Sequence, residues 1–435
     1  MPSLFRKSPR RKKPSSVVTT QRQVDIPASR ARLGMHVVGL DQPWEKVPVL
    51  FQSFVIDEPE QVEILRTHCQ WITVERTAYT EQVAEEAAAH RKAIAAGSDF
   101  EAERPLSEEL PHAQRRYQQA QHYVDALLRK VADGQSLPLK EARVVVRNFI
   151  TSISSNPNAM FWLSRIRHRD AYTAEHCVRV GILSITFGRF VGLDNTQLET
   201  IGLCGMLHDV GKMRVPPEVL NKPGALDTRE WQLMRRHPEY GFELLGSEHE
   251  LEPDVRNAAL SHHERLDGKG YPQSLTGAAI SQFTRIVSIV DAYDAITSDR
   301  AYRPGIPTSE ALKILYNNRG NQFDDQLVEA FIRMIGIYPP GSLVELNTGE
   351  VAVVLATSAR QKLLPLVEVV LDSGGHRCLP RVLNLSESPS TGDGNSYRIH
   401  KALPDGVSGF DLAEHIRHQA DAGAADPLPP TPGRR

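Results

Sequence analysis

Cysteine is scarce in this sequence. There are four cysteines in 435 residues, and no two of them lie close together: Cys69, Cys177, Cys204 and Cys378. Small disulfide-bonded domains and zinc ribbons need closely spaced cysteines, so neither class explains this fold. Scattered cysteines are typical of proteins in a reducing cytoplasm. We expect Cys177 and Cys204 to be small core residues.

Long apolar runs and an excess of one charge are also missing. No run approaches the roughly 20 apolar residues of a membrane helix, and the basic amino-terminal segment lacks the apolar core of a signal peptide. The formal net charge is −2, so no basic field points to a nucleic-acid polymer as a partner. We therefore expect a soluble, cytoplasmic protein without a transmembrane segment.

The pattern of apolar residues divides the chain into six segments, and its length of 435 residues is too great for one ordinary core. We expect a basic disordered tail over 1–20, a small α+β domain over 21–78, a helical linker over 79–139, a helical domain over 140–338, a small β appendage over 339–388 and an irregular, largely disordered tail over 389–435. The predicted fold class is mainly α.

Local patterns predict individual elements in these segments. Apolar runs predict strands at 34–40, 47–51, 71–74, 343–346, 351–355 and 367–371. Helices are predicted at 59–68, where Pro59 suits the first turn, and at 80–96 and 111–133.

The helical domain contains seven histidines and aspartates whose spacing suggests a metal centre: His176, His208, Asp209, His237, His262, His263 and Asp291. All but His237 lie within apolar, helix-like segments, where an unpaired buried polar group would cost several kcal/mol. One ion takes four to six ligands, so seven residues fit two ions if a carboxylate bridges them. Imidazole and carboxylate without thiolate suit iron, manganese or zinc.

Two motifs carry a resemblance to a known family. The segment LHDVGK at 207–212 resembles the signature of HD-domain phosphohydrolases, and HHERLDGKGYP at 262–272 resembles the extended motif of the HD-GYP subfamily. Segments 170–176 and 291–300 fit the same pattern, and 24–74 is similar to an uncharacterised domain often found ahead of HD-GYP domains. The resemblance implies a helical HD-domain bundle and a bacterial cyclic di-GMP phosphodiesterase, which forms linear pGpG and often GMP.

The resemblance also implies how the ligands are shared. His176, His208, Asp209 and Asp291 would hold the first ion, Asp209 would bridge, and His237, His262 and His263 would complete the second site. We expect two divalent ions, iron or manganese. Some relatives hold a third ion through a glutamate four residues before the first ligand, where this chain has Tyr172.

Two further residues near the ligands invite structural predictions. Asp294 is expected to support a neighbouring side chain or the fold, not to bind metal. His237 precedes Pro238 and should lie where a helix begins or bends.

Several residues are candidates for catalysis and substrate binding. Asp209 and Lys212 are the predicted catalytic residues, with Lys212 on the same helical face as His208, where it could protonate a leaving oxygen. Arg300 and Arg303 could grip phosphates. Gly270 could allow a close approach of substrate, and Tyr271 could stack on it. Alternatively, Lys212, Arg300 and Arg303 could form ion pairs at the surface, and Tyr271 could simply pack within its loop.

Other functions are compatible with the sequence. The same fold could hydrolyse a different cyclic dinucleotide or a nucleotide phosphate. Alternatively, the chain could sense a dinucleotide or dock a partner protein without turnover, although the complete ligand set favours an enzyme. The sequence leaves open whether the chain forms a homodimer or binds a signalling partner.

Overall fold

The computed structural model describes residues 23–42, 53–57, 59–69, 71–75, 77, 102–135, 137, 139–165, 172–246, 251–298, 305–357, 363–392, 394–403, 410, 412 and 414–415. The predicted tail over 1–20, the predicted strand at 47–51 and the predicted helix at 80–96 lie outside these residues. The chain divides into two compact units, Met1–Ala89 and His90–Arg435.

The first unit contains a four-stranded antiparallel sheet with the strand order β1-β4-β2-β3. Its elements are β1 (Gln23–Pro27), β2 (His36–Leu40), β3 (Phe54–Val55), α1 (Pro59–His68) and β4 (Trp71–Glu75). Alternate residues of β4, Ile72 and Val74, are buried in a small core that includes Leu65 of α1. The predicted α+β character and the predicted helix at 59–68 are confirmed.

The second unit is built mainly from helices. They are α2 (Leu106–Ala132), α3 (Leu139–Ser155), α4 (Pro157–Leu163), α5 (Tyr172–Phe190), α6 (Asn195–Leu207), α7 (Pro217–Leu220), α8 (Thr228–Met234), α9 (His237–Gly246), α10 (Pro253–Ser261), α11 (Gln282–Thr297), α12 (Thr308–Asn317) and α13 (Asp325–Ile335). The predicted mainly α fold class is confirmed.

Aromatic contacts join the helices at the centre of this unit. The ring of Phe331 on α13 makes edge contacts with Phe187 of α5, at 5.1 Å between centroids, and with Tyr293 of α11, at 5.2 Å. All three side chains are buried. Edge-to-face pairs of this kind stabilise by about 0.5–1.5 kcal/mol beyond the area they bury. They fix α5 and α11, which both carry residues of the site described below.

Helix α2 is part of the helical core, which corrects its assignment to a linker over 79–139. Its buried residues recur every three or four positions, and they include Leu110, Tyr117, Val124 and Leu127. Such a stripe forms one apolar face of a helix. The sequence contained this signal, but the high content of charged and glutamine residues on the opposite face obscured it.

The carboxyl-terminal strands form one antiparallel sheet with the order β8-β7-β6-β5-β9. They are β5 (Leu343–Leu346), β6 (Val351–Ala356), β7 (Leu366–Leu371), β8 (Arg377–Asn384) and β9 (Ile399–Leu403). The three predicted strands are confirmed. The prediction of an irregular tail over 389–435 is wrong for 399–403, because β9 pairs with β5.

The sheet shares its core with the helices. Along β6, Val351 and Val353 face the helical core, whereas Ala352 and Val354 belong to a smaller core on the other face. The indole nitrogen of Trp162, in α4, donates to the carbonyl oxygen of Val354 at 3.2 Å. None of the described helices has the combined length and apolarity that crossing a membrane requires.

Candidate metal centre

Helix ends place most of the seven predicted ligands. His208 and Asp209 follow the end of α6, His237 begins α9, and His262 and His263 follow the end of α10. His176 and Asp291 project from the interiors of α5 and α11. The prediction that His237 lies where a helix begins is confirmed.

Asp209 lies between two groups of ligand atoms. Its Oδ2 atom is 3.5 Å from Nε2 of His176 and 3.3 Å from Nε2 of His208. Its Oδ1 atom is 3.3 Å from Nε2 of His237 and 3.7 Å from Nε2 of His262. The two carboxylate oxygens therefore face opposite halves of the centre, which is the arrangement that a bridging ligand requires.

The remaining candidate ligands complete each half. Asp291 Oδ1 is 3.1 Å from Nε2 of His176, and one ligand atom each from His176, His208 and Asp291 lie within 4.8 Å of one another. On the other side His237, His262 and His263 form a group of the same compactness. Each half thus has three nitrogen or oxygen atoms around one point, with Asp209 between them.

Hydrogen bonds orient four of the imidazoles. The Nδ1 atom of His208 donates to the Gly205 carbonyl at 2.8 Å, and that of His237 donates to the Met234 carbonyl at 2.8 Å. His262 is held by backbone carbonyls in the same way, and His176 by Asp294. Because a neutral imidazole then has no proton left for Nε2, each Nε2 presents a lone pair to the centre.

Within the described part of the chain, some buried atoms of the centre have no hydrogen-bond partner, and a bound cation would satisfy them. His208 Nε2 and Asp209 Oδ1 are buried, and neither has a hydrogen-bond partner among the described residues. The Nε2 atoms of His237 and His262 lie 3.2 Å apart, each with its Nδ1 already donating. Two facing lone pairs need a shared proton or ion between them. The donor set therefore fits divalent metal ions that take nitrogen and oxygen ligands.

The charges of the centre favour metal binding. Burial opposes ionisation of Asp209, but Lys212 and His208 hold the pKa of its carboxyl group well below the ordinary value. Burial also opposes protonation of His208, but Asp209 and Asp291 raise the pKa of this imidazole to about 10, so a metal ion that binds there would displace a proton. Burial lowers the pKa of His237 to about 3 and that of His263 to about 4. Ionised carboxylate and neutral imidazole are the forms that bind a metal ion.

Behind His176 lies a buried ion pair that the sequence did not reveal. Asp294 accepts from Nδ1 of His176 at 2.7 Å, and Arg179 donates to both oxygens of Asp294. Glu175 accepts from the other side of the Arg179 guanidinium at 3.4 Å. In this geometry Asp294 supports the predicted ligand His176. The one available signal was an arginine within an apolar helix, three residues after a predicted ligand.

Lys212 differs from its prediction. Helix α6 ends at Leu207, and a 3₁₀ turn over Val210–Arg214 follows, so Lys212 does not share a helical face with His208. Instead its amino group pairs with Oδ2 of Asp209, three residues away, and the side chain is 22% exposed. Lys212 is thus at the edge of the centre and open to solvent.

Gly211 allows the two halves to meet. A Cβ atom at this position would lie 2.0 Å from the carbonyl oxygen of His237 and 2.3 Å from the backbone nitrogen of Gly241. No side chain fits there, because both neighbours are backbone. The glycine lets α9 approach the turn after Asp209, and this approach brings His237 to the carboxylate.

The loop after His263 is tied down by its own residues. Buried Glu264 accepts from the backbone nitrogens of Gln273, at 2.6 Å, and Leu275, at 2.9 Å. A Cβ atom at Gly270 would lie 2.5 Å from the Cα atom of Glu264. The glycine is therefore required for a close approach within the chain itself, and the predicted approach of a substrate to Gly270 stays a prediction.

Tyr271 stacks within this site. Its ring lies 4.8 Å from that of His263, at an interplanar angle of 28°. Burial, together with Asp209 and Asp291, raises the pKa of its hydroxyl group, so the side chain stays neutral. Arg300 and Arg303, the predicted phosphate-binding residues, lie outside the described residues.

Comparison with known proteins agrees with this geometry. Residues 149–327 match the HD domain family, and residues 23–142 match a domain of unknown function (DUF3391). Over 395 residues the chain is 34% identical to a cyclic di-GMP phosphodiesterase of Pseudomonas aeruginosa, covering 89% of this chain and 92% of that protein.

The chain belongs to the HD-GYP family of HD-domain proteins. This HD-GYP chain is also 39% identical over 169 residues to the cyclic di-GMP phosphodiesterase response regulator RpfG of Xanthomonas campestris pv. campestris, covering 39% of this chain and 45% of that protein. It is 34% identical over 168 residues to a 3′3′-cGAMP-specific phosphodiesterase of Vibrio cholerae, covering 38% and 32%. The predicted family is confirmed.

Proposed function

We propose that this HD-GYP protein is a metal-dependent phosphodiesterase that hydrolyses cyclic di-GMP to pGpG and then to GMP. The observation that carries the proposal is the position of Asp209, whose two oxygens face two separate groups of histidines at 3.3–3.7 Å. A carboxylate between two nitrogen-rich sites is the arrangement used by two-metal phosphoesterases.

We assign two divalent ions, iron or manganese, to this centre. His176, His208, Asp209 and Asp291 would hold one ion, and Asp209, His237, His262 and His263 would hold the other. When bound, such ions supply an activated water and offset negative charge on the phosphate. The absence of thiolate from this set favours these metals over ions that prefer sulfur.

The side chains of the protein contribute orientation and a proton. Asp294 and three backbone carbonyls fix the imidazoles, so the site needs little reorganisation when the substrate arrives. Lys212 lies beside Asp209 and is partly exposed, where its amino group can donate a proton to the sugar oxygen that leaves phosphorus. Arg300 and Arg303 would hold the phosphates.

Cyclic di-GMP is the favoured substrate because a relative that matches 89% of this chain is named for it. A second candidate is 3′3′-cGAMP, since a relative of the helical domain is specific for that dinucleotide. Both contain two 3′–5′ phosphodiester bonds, so the same centre could attack either. They differ in one base, and attack on the phosphodiester bond does not depend on that base.

The deciding experiment uses the purified full-length protein loaded with manganese or iron under anaerobic conditions. Cyclic di-GMP and 3′3′-cGAMP are supplied separately and in competition, and linear dinucleotides and mononucleotides are followed by chromatography. We expect pGpG and then GMP from cyclic di-GMP, with the larger kcat/KM for that substrate. Preference for 3′3′-cGAMP would reassign the substrate, and binding without turnover would make the protein a sensor.

The proposal also covers where the protein acts in the cell and what it binds. A cytoplasmic location suits a second-messenger substrate and four free cysteines. The amino-terminal unit has a core of its own, so it could receive a signal from a partner protein. A homodimer is a further expectation, and light scattering of the full-length protein would measure its mass.

A further inference from the structure

An arginine outside the predicted set extends the stack at the metal centre. The guanidinium carbon of Arg235 lies over the ring of Tyr271, 4.5 Å from its centroid. Tyr271 itself is stacked on the ligand His263. Arg235 follows the end of α8 and precedes the proposed ligand His237 by two residues. Its backbone is therefore connected to the site through His237, and its side chain contacts the site through Tyr271.

The hydrogen-bonding groups of Arg235 are free to bind a ligand. The side chain is exposed, and its guanidinium has no hydrogen bond or ion pair within the described part of the chain. Arg236 provides a contrast, because it pairs with Glu239 at 3.7 Å and lies over Tyr240. A planar guanidinium that stacks on an aromatic ring keeps its N–H donors directed outward, where they match two oxygens of a phosphate.

The position of Arg235 distinguishes between the two phosphates of a cyclic dinucleotide. The phosphate under attack must lie against the metal ligands. Arg235 is connected to the centre through Tyr271, because its guanidinium carbon lies 4.5 Å from the centroid of that ring and the ring lies 4.8 Å from the imidazole of the proposed ligand His263. A guanidinium that reaches the centre through Tyr271 suits the other phosphate of the same molecule, which would lie farther from the metals than the phosphate under attack.

We propose that Arg235, held by Tyr271, binds the phosphate of the cyclic dinucleotide that is not being hydrolysed. This inference rests on the proposed function, since it needs a substrate with two phosphates. It makes Arg235 a specificity-determining residue that favours cyclic dinucleotides, which contain two phosphates, over ligands with one phosphate. It also gives Tyr271 a role as the surface that orients this arginine.

The test compares Arg235→Gln and Arg235→Lys with the parent protein, all full-length and metal-loaded. KM and kcat are measured with cyclic di-GMP. Dissociation constants are measured by equilibrium dialysis with a hydrolysis-resistant phosphorothioate analogue of cyclic di-GMP and with GpG, which has a single phosphate. For Arg235→Gln we expect KM and the dissociation constant of the analogue to rise about tenfold, because one charge-assisted contact is lost.

The pattern of changes in KM, kcat and the dissociation constants identifies the role of Arg235. kcat should stay within about twofold of the parent value, because the contact is present before and during the reaction. GpG should bind the variant and the parent alike, and Arg235→Lys should recover part of the lost affinity because it keeps the charge but not the planar fork. The matched control is Arg236→Gln, which removes the adjacent exposed charge and should leave all values unchanged.

Three results would overturn the assignment: unchanged binding of the analogue, an equal loss for GpG, or the same loss in Arg236→Gln. If the parent protein does not hydrolyse cyclic di-GMP, the proposed function fails. The dialysis measurement still decides the role of Arg235 in that case. Weaker binding of the analogue by Arg235→Gln than by the parent protein supports the inference. Equal binding by the two proteins, or no binding by either, contradicts it.

Discussion

Arg179 donates hydrogen bonds to both carboxylate oxygens of Asp294, at 2.7 and 2.9 Å, and neither side chain is more than 5% exposed. Asp294 holds the imidazole of His176 by its Nδ1 atom. Replacing Arg179 by glutamine leaves a buried carboxylate without its charge partner. We expect a loss of about 3–5 kcal/mol in the free energy of unfolding and about 10–100-fold weaker metal binding, measured by denaturant titration and by metal titration.

A surface pair of the same geometry serves as the control. Arg147 donates to both oxygens of Glu199, at 2.9 and 3.1 Å, but its side chain is 64% exposed. Arg147→Gln should cost no more than about 1 kcal/mol and leave metal binding unchanged. Equal metal affinity in Arg179→Gln and the parent would show that Asp294 orients His176 without the arginine.

Asp209→Asn should abolish hydrolysis and reduce the metal content while the fold is retained. The substitution removes the charge that balances two cations and one of the two equivalent oxygens that face them. Metal analysis, circular dichroism and the cyclic di-GMP assay measure the three outcomes. Asp227→Asn is a suitable control, because Asp227 is an exposed helix N-cap and asparagine caps equally well. Near-normal turnover with full metal content in Asp209→Asn would contradict the bridging role.

Arg300→Ala and Arg303→Ala should weaken substrate capture more than metal binding. A charge-assisted contact with phosphate contributes about 1.5–3 kcal/mol, so each variant should lose about tenfold or more in kcat/KM. Both residues lie outside the described part of the chain, and the prediction rests on the family motif. Parent-like rates in both variants at low substrate concentration would identify these arginines as surface residues.

The metal count should be two per chain. Tyr172, the first residue of α5, occupies the place where some relatives have a third-site glutamate. Glu175, one residue before His176, is held by Arg179 and Gln121 in the interior. Elemental analysis of anaerobically prepared protein checks the number. A third fully occupied site, or an ion lost in Tyr172→Phe, would refute the expectation.

Gly211→Ala should separate the halves of the centre. The added methyl group would collide with the backbone of His237 and Gly241, which cannot rotate away as a side chain can. Overpacking of this kind costs about 1–3 kcal/mol, and the shift would move His237 from Asp209. We expect loss of one metal ion and of activity, together with reduced stability. Gly241→Ala lies across the same contact but meets its neighbours at 3.5 Å, so it should be tolerated.

The sequence indicated the seven proposed ligands because most of them lie in short family motifs and are residue types that are rare in apolar helices, and the structure brings them together. Lys212 was misplaced because counting residues assumes that a helix continues, and α6 ends at Leu207. Arg179 escaped notice because its significance lies in a partner 115 residues away. The strand β9 was missed for the same reason: Ile399–Leu403 becomes a strand by pairing with β5, a contact that no local pattern encodes.

The shared core of the second unit has a consequence for how the protein can be divided. The segment that matches the HD domain family, 149–327, excludes α2 and the whole carboxyl-terminal sheet. Yet Leu127 of α2 and Val353 of β6 are buried in the same core as the helices that carry the ligands. A fragment cut at the limits of the match would expose that apolar surface to water and aggregate. The segment that sequence comparison recognises is therefore shorter than the segment of chain that shares this core.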